Sequence, residues 1–191
     1  MIEFLEQIDH QLFLLINGAH SPFWDKVMCL ISNKYTWIPL YLFLIALIFI
    51  KNKKKGIVIV LGIILAIGLS DFISVHFFKE VFQRYRPCHN LELKSFVHLV
   101  NGHCGGTFGF VSSHASNSMV IAFLTGVFLK KNFKYALISL LIWAFIVSYS
   151  RIYLGVHYPF DIVGGWLVGL SISILCYKLI QYLIGKYNFE K

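Results

Sequence analysis

Five long apolar stretches constrain this chain more than any other feature. They run about Tyr35–Ile50, Ile57–Phe78, Ala115–Leu129, Tyr135–Tyr153 and Asp161–Ile184, each near the roughly 20 residues that a helix needs to cross a bilayer. A soluble domain of 191 residues has too little interior to hide them: 58% of the chain is hydrophobic and only 14% charged. Lipid must therefore act as the solvent, and a 17% share of aromatic residues suits rings placed at the bilayer interface. The pattern predicts an all-α, polytopic membrane helical bundle.

The formal net charge of +8 does not point to nucleic acid, because the lysines gather beside the apolar stretches. Lys51, Lys53, Lys54 and Lys55 follow the first stretch, and Lys130, Lys131 and Lys134 separate the third from the fourth. If every stretch crosses once, both groups fall on one side, which the positive-inside tendency makes cytoplasmic. The C-terminal tail with Lys186 and Lys191 then lies on that side too, where the lysines can also meet anionic lipid.

Ahead of the first stretch, Phe4, Leu5, Ile8, Leu12, Phe13, Leu15 and Ile16 recur at helical spacing, with Glu6, Gln7, Asp9 and Gln11 opposite. This reads as an amphipathic helix lying in the membrane interface. Asn17-Gly18 ends it, and Ser21-Pro22 opens a second short helix through Phe23–Ser32. Together these allow five or six crossings. Met1-Ile2-Glu3-Phe4 lacks the basic start of a secretory signal, so no cleavage is expected. With no repeat, linker or low-complexity tract, residues 1–191 read as one domain.

Three polar clusters stand at the ends of these stretches, and the topology brings all of them to the non-cytoplasmic face although they are spread over 82 positions. The first is Lys79 with Arg86-Pro87, the second Ser112-Ser113-His114, the third Ser150-Arg151 followed by His157 and Asp161. Phosphoryl transfer needs positive charge around the phosphate oxygens, an in-line nucleophile and a proton for the leaving oxygen. Lys79, Arg86 and Arg151 suit the first task, Arg as a fork and Lys as a point charge. Ser112-Ser113 opens a helix whose free N–H groups form a phosphate seat, or else merely caps it. His114 is placed to act as general acid. Asp161, four residues after His157, can fix one imidazole tautomer and free the other nitrogen to attack phosphorus. Taken singly, each of these residues also reads as an interfacial anchor or a cap.

Together, Lys79-x6-Arg86-Pro87, Ser112-x-His114 and Ser150-Arg151-x5-His157-x3-Asp161 resemble the three-part signature of the type 2 phosphatidic acid phosphatases. That superfamily also includes, more distantly, vanadium haloperoxidases. The resemblance implies a membrane lipid phosphatase that needs no metal or cofactor and works through a phosphohistidine. His157 would be the nucleophile, Asp161 its partner, His114 the acid, and Lys79, Arg86, Ser112, Ser113 and Arg151 the phosphate cradle. Small bacterial members are similar in length and in their outer loop. They imply undecaprenyl diphosphate or lipid A as substrate, with phosphatidylglycerophosphate as a third choice, and a bacterial cytoplasmic membrane with the site facing outward. One departure is Val111-Ser112-Ser113-His114 where the family has Pro-Ser-Gly-His. The added Cβ at Ser113 favours Ser112 for direct phosphate contact. The alternative is a non-catalytic phospholipid-binding or transport protein that keeps the phosphate site.

Cys88 and Cys104 flank the outer loop, and a disulfide between them would close about 17 residues and contribute roughly 3 kcal/mol. Zinc binding with His89 and His103 is the alternative. Cys29 and Cys176 read as packing residues. Gly105, Gly106 and Gly109 let the loop lie close over the pocket. Gly165 and Gly169 form a face for internal helix packing. Asp71, inside the second stretch, should face the bundle, where it either supports the site at a distance or, as the favoured reading, bonds to a neighbouring helix. Oligomeric state is not legible.

Overall fold

The computed structural model describes residues 2–102 and 104–187, so His103 and Lys191 lie outside the described residues. Two N-terminal helices, α1 (Ile2–Gly18) and α2 (Pro22–Ser32), precede a 3-10 turn at Lys34–Trp37 and helix α3 (Ile38–Asn52). Helix α4 (Lys55–Ile73) continues through a π-helical segment, Ser74–Lys79, into the short α5 (Glu80–Phe82). After a long loop come α6 (Ser113–Leu129), α7 (Ala136–Tyr153) and α8 (Pro159–Lys186). Four of the helical runs, Lys34–Asn52, Lys55–Phe82, Ala136–Tyr153 and Pro159–Lys186, are long and apolar enough to span a bilayer; Ser113–Leu129 is apolar but shorter.

That shorter helix is the axis of the bundle. Ala115, Ser116, Val120, Ala122, Leu124 and Leu129 are buried, against α4, α7 and α8. Gly165 lets α8 approach closely, since a Cβ there would stand 2.6 Å from the Ser112 carbonyl oxygen. The outer helices show the reverse pattern. Leu42, Phe43, Leu61, Phe72, Ile142, Leu167 and Leu175 are exposed, and such a belt is stable only against lipid.

The two ends of the bundle differ. Lys51 sits over the Phe133 ring at 5.5 Å, joining the end of α3 to the turn between α6 and α7. Both lysine groups thus share one end, and the three polar clusters meet at the other. Helix α1 corrects one expectation. Asp9, placed above on its polar face, is fully buried together with Phe13 and Asn17, while Phe4, Leu5, Leu12 and Leu15 are turned outward. Asn17 ties this helix to the bundle by donating to the carbonyls of His98 and Tyr153 at 2.8 and 2.7 Å.

Candidate active site

Lys79, Arg86, Ser113, His114, Arg151 and His157 all line one cavity of about 1110 Å³. Lys79, at the end of the π-helical segment, donates to Ser113 Oγ at 2.8 Å. Arg86 reaches the cavity because the chain turns extended beyond Gln83, whose φ of 47° ends the preceding helix. The extended segment pairs with Thr107–Gly109: Arg86 N–H donates to the Thr107 carbonyl at 3.1 Å and Gly109 N–H to the Arg84 carbonyl at 2.8 Å. Alternation along an extended strand then gives Arg84 and Arg86 one face and Tyr85 the other, and Tyr85 is exposed.

Among the described residues, Arg86 is held by backbone carbonyls: Phe108 accepts from Nε at 3.2 Å, and Cys104 and Val156 accept from Nη1 at 3.3 and 3.5 Å. Burial lowers its pKa, with Asp161 opposing. Arg151 Nη1 donates to Ser32 at the end of α2, and its buried Nε has no partner. Among the described residues, none of Lys79, Arg86 and Arg151 is in an ion pair. Three cations around one cavity without a carboxylate partner leave positive charge for an anionic ligand.

His157 Nδ1 lies 3.3 Å from Asp161 Oδ2, an oxygen that also accepts the Tyr158 backbone N–H at 3.0 Å. Asp161 is fully buried behind the imidazole. Burial, followed by the charges of Arg86, Arg151 and Lys79, holds the His157 pKa well below 6.5. The ring is therefore neutral, with Nε2 as the nitrogen that Asp161 leaves free. His114, in the first turn of α6, lines the same cavity without a hydrogen bond to a described residue.

Ser112 departs from its expected role. Its Oγ accepts from the Ala115 N–H at 3.4 Å, capping α6, and its own N–H donates to the Asp161 carbonyl at 3.0 Å. It is fully buried and does not line the cavity; the hydroxyl that does is that of Ser113. For Asp71, the favoured bond to a neighbouring helix is not what the structure shows. The bond between α4 and α6 is made by Ser70 and Ser116, whose Oγ atoms are 2.6 Å apart, while Asp71 faces the cavity. Cys29 packs against the Met28, Tyr153 and Leu154 cluster and also lines the cavity, and Cys176 is core.

Two residues of this neighbourhood, Arg84 and Asp9, have no site role legible in the sequence. Arg84 donates to Asp161 Oδ1 at 2.9 Å and to Asp9 Oδ2 at 2.8 Å, with its guanidinium 4.2 Å over the Tyr158 ring. Burial alone would lower its pKa, but Asp161 and Asp9 more than offset this and raise it. Asp9 Oδ1 in turn accepts the Phe160 N–H at 2.8 Å, so α1 reaches the start of α8. Gly109 completes the wall: a Cβ there would lie 2.9 Å from Asp161 Oδ2 and 3.5 Å from His157 Nδ1. Cys88 and Cys104 are joined in a disulfide, which removes both thiols from the zinc alternative.

The profile of the PAP2 superfamily matches residues 56–184, a stretch holding Lys79, Arg86, Arg151, His114 and His157. The chain belongs to that superfamily. It is 42% identical over 173 residues to the lipid A 4'-phosphatase of Bacteroides thetaiotaomicron, covering 88% of this chain and 75% of that protein. It is 32% identical over 177 residues to the undecaprenyl-diphosphatase of Sulfolobus acidocaldarius, with 88% and 77% covered. Among solved structures, a transmembrane PAP2-type phosphatidylglycerolphosphate phosphatase from Bacillus subtilis superposes with a TM-score of 0.72 at 24% identity, covering 93% of this chain and 87% of that one. That last likeness concerns the fold. The family and its curated members make this chain an integral membrane phosphatase.

Proposed function

We propose that this PAP2 protein removes a phosphate monoester from a lipid headgroup, with a lipid A-type phosphate as the first choice of substrate, at the outer face of a bacterial cytoplasmic membrane. The observation that carries the reading is one cavity with two characters. Its outer end holds Lys79, Arg86, Arg151, His114 and His157, and its inner part is lined by Leu44, Ile48, Ile63, Ile67 and Trp143. A phosphate suits the first and an acyl chain the second. The choice of lipid A over undecaprenyl diphosphate follows the stronger identity to the Bacteroides phosphatase. The outward orientation follows the lysines grouped at the opposite end.

In the reaction, the three cations and Ser113 hold the phosphate oxygens. His157 Nε2 forms a bond to phosphorus as the bond to the leaving oxygen breaks, and His114 gives that oxygen its proton. Asp161 accepts from His157 Nδ1 and stabilises the positive charge that develops on the ring. Water then attacks the phosphohistidine, giving a proton back to His114 and releasing inorganic phosphate and free His157.

The deciding experiment is phosphate release by the purified chain from lipid A, undecaprenyl diphosphate and phosphatidylglycerophosphate, beside His157→Ala. Release from lipid A that disappears in the folded variant is expected. Wild-type release persisting in His157→Ala would remove the mechanism, and chelator-sensitive turnover would remove its metal independence. Impermeant thiol labelling of single cysteines introduced at exposed Tyr85 and exposed Lys134 tests orientation, with only the former expected to react from outside the cell.

A further inference from the structure

The cavity does not turn apolar directly beneath the cations. The buried 2.6 Å contact between Ser70 Oγ and Ser116 Oγ sets α4 and α6 at one level. The next residue on each helix, Asp71 and Asn117, faces the cavity. Asn117 lies one helical turn, about 6 Å, further in than Ser113, whose hydroxyl is bound by Lys79. Asn117 Oδ1 is buried without a partner, and Asp71 makes no hydrogen bond to a described residue. Beyond them come Ile64, Ile67 and Ile121. The remaining cavity lysine, Lys34, belongs to the 3-10 turn at the outer rim. The cavity thus has three tiers: cations, then two acceptors without donors among the described residues, then a mainly apolar part that includes Thr125 and Trp143.

A carboxylate at membrane depth is costly and is kept where it has a use. Asp71 only accepts, and the unpartnered atom of Asn117 is also an acceptor. Their level is where the group next to a cradled phosphate must pass. A hydroxyl or amide N–H there satisfies both side chains, whereas a second phosphate would meet a carboxylate of like charge.

We propose that Asp71 and Asn117 act as a headgroup filter, hydrogen-bonding the hydroxyl or amide N–H groups of a phosphorylated sugar and disfavouring a diphosphate. This rests on the reading of the cavity as a lipid phosphate site and narrows its substrate class to saccharide-lipid monophosphates. The test compares kcat/KM for lipid A, undecaprenyl diphosphate and phosphatidic acid, a monophosphate without a sugar, using the full chain in detergent micelles. Asp71→Asn keeps the shape and removes the charge; it should shift the ratio of undecaprenyl diphosphate to lipid A turnover about tenfold toward the diphosphate. Asn117→Leu should lower lipid A turnover about tenfold more than phosphatidic acid turnover. A wild-type preference for the diphosphate, or variants that scale all three substrates alike, would overturn the filter and leave the phosphatase reading standing. Wild-type protein that releases phosphate from none of the three would overturn both.

Discussion

Arg84, half-buried, and Asp161, fully buried, form an ion pair at 2.9 Å on the side of the carboxylate opposite His157. The other guanidinium nitrogen is neutralised by Asp9 at 2.8 Å. Asp161 therefore has one oxygen fixed by Arg84 and the other left for the imidazole and the Tyr158 N–H. That arrangement leaves Asp161 Oδ2 facing the His157 ring, where it suits stabilising a cation.

Arg84 should accordingly act as a positioning residue without touching substrate. Arg84→Gln should lower kcat about 10²-fold with a much smaller change in KM, since the cradle cations remain. Asp161→Asn, which disturbs the tautomer directly, should cost more, on the order of 10⁴-fold. Arg84→Lys should recover only part of the loss, because one ammonium cannot reproduce the fork between two carboxylates. Steady-state kinetics on lipid A checks this; equal effects on kcat and KM in Arg84→Gln would place Arg84 in the cradle instead.

Asp9 supplies a test of the same network from the N-terminal helix. Asp9→Ala strips Arg84 of one partner and the Phe160 N–H of its acceptor. Leaving a buried charge half-compensated should cost about 3 kcal/mol, read as a lower midpoint of thermal unfolding in micelles. The double variant with Arg84→Gln should lose less than the sum of the two, because both changes break one interaction.

Neither residue was legible in the sequence, and the reason is physical. Hydropathy is local, so the membrane-spanning stretches could be read directly, and their ends brought the three clusters to one face. Asp9 instead takes its meaning from long-range packing. Positions 9, 13 and 17 share a helix face that mixes acid, aromatic and amide, and this face turns inward. Arg84 lay among the six residues between Lys79 and Arg86. The available signal was its spacing of two from Arg86, which gives a common side only in an extended segment; a continued helix would have hidden it. Ser112 was open to two readings because the same side chain can seat a phosphate or cap a helix, and here it caps α6.

The acid side of the pH profile tests the state of His157. Burial and then the nearby cations depress its pKa well below 6.5, so the proposed nucleophile should stay unprotonated as pH falls through that value. Phosphoenzyme formation, followed by alkaline-detergent quench labelling at saturating substrate because a phosphohistidine is acid-labile, should show no loss from pH 7.5 down past 6.5. An acid limb centred on 6.5 would contradict the assignment. The linkage sign follows: the unfolded chain takes up this proton more readily than the native one, so stability should fall as pH drops below 6.5.

Glycines in the outer loop separate close packing from mere looseness. A Cβ on Gly109 would press on Asp161 Oδ2 at 2.9 Å and Arg86 Cγ at 3.2 Å, whereas a Cβ on Gly106 would meet nothing within 4 Å. Gly109→Ala must push either the Asp161 carboxylate or the Arg86 stem, and a displacement of a few tenths of an ångström suffices to spoil alignment. It should lower kcat/KM about 10- to 100-fold with helical content unchanged by circular dichroism. Gly106→Ala should stay within about twofold of wild type. Equal behaviour of the two variants would mean that the loop is not seated on the catalytic pair.

The disulfide acts on the same wall from its other end. Cys88 follows Arg86 by two residues, and the Cys104 carbonyl accepts from Arg86 Nη1 at 3.3 Å. The cross-link therefore holds the loop whose backbone aims a cradle cation. Cys88→Ser paired with Cys104→Ser should lower stability by about 3 kcal/mol through the freed loop and raise KM several-fold while leaving the nucleophile intact. Treating wild type with reductant should reproduce the KM increase, and the double variant should be insensitive to reductant. A reductant effect of equal size in the double variant would show that the response arises elsewhere, with Cys29 in the cavity wall the first residue to check.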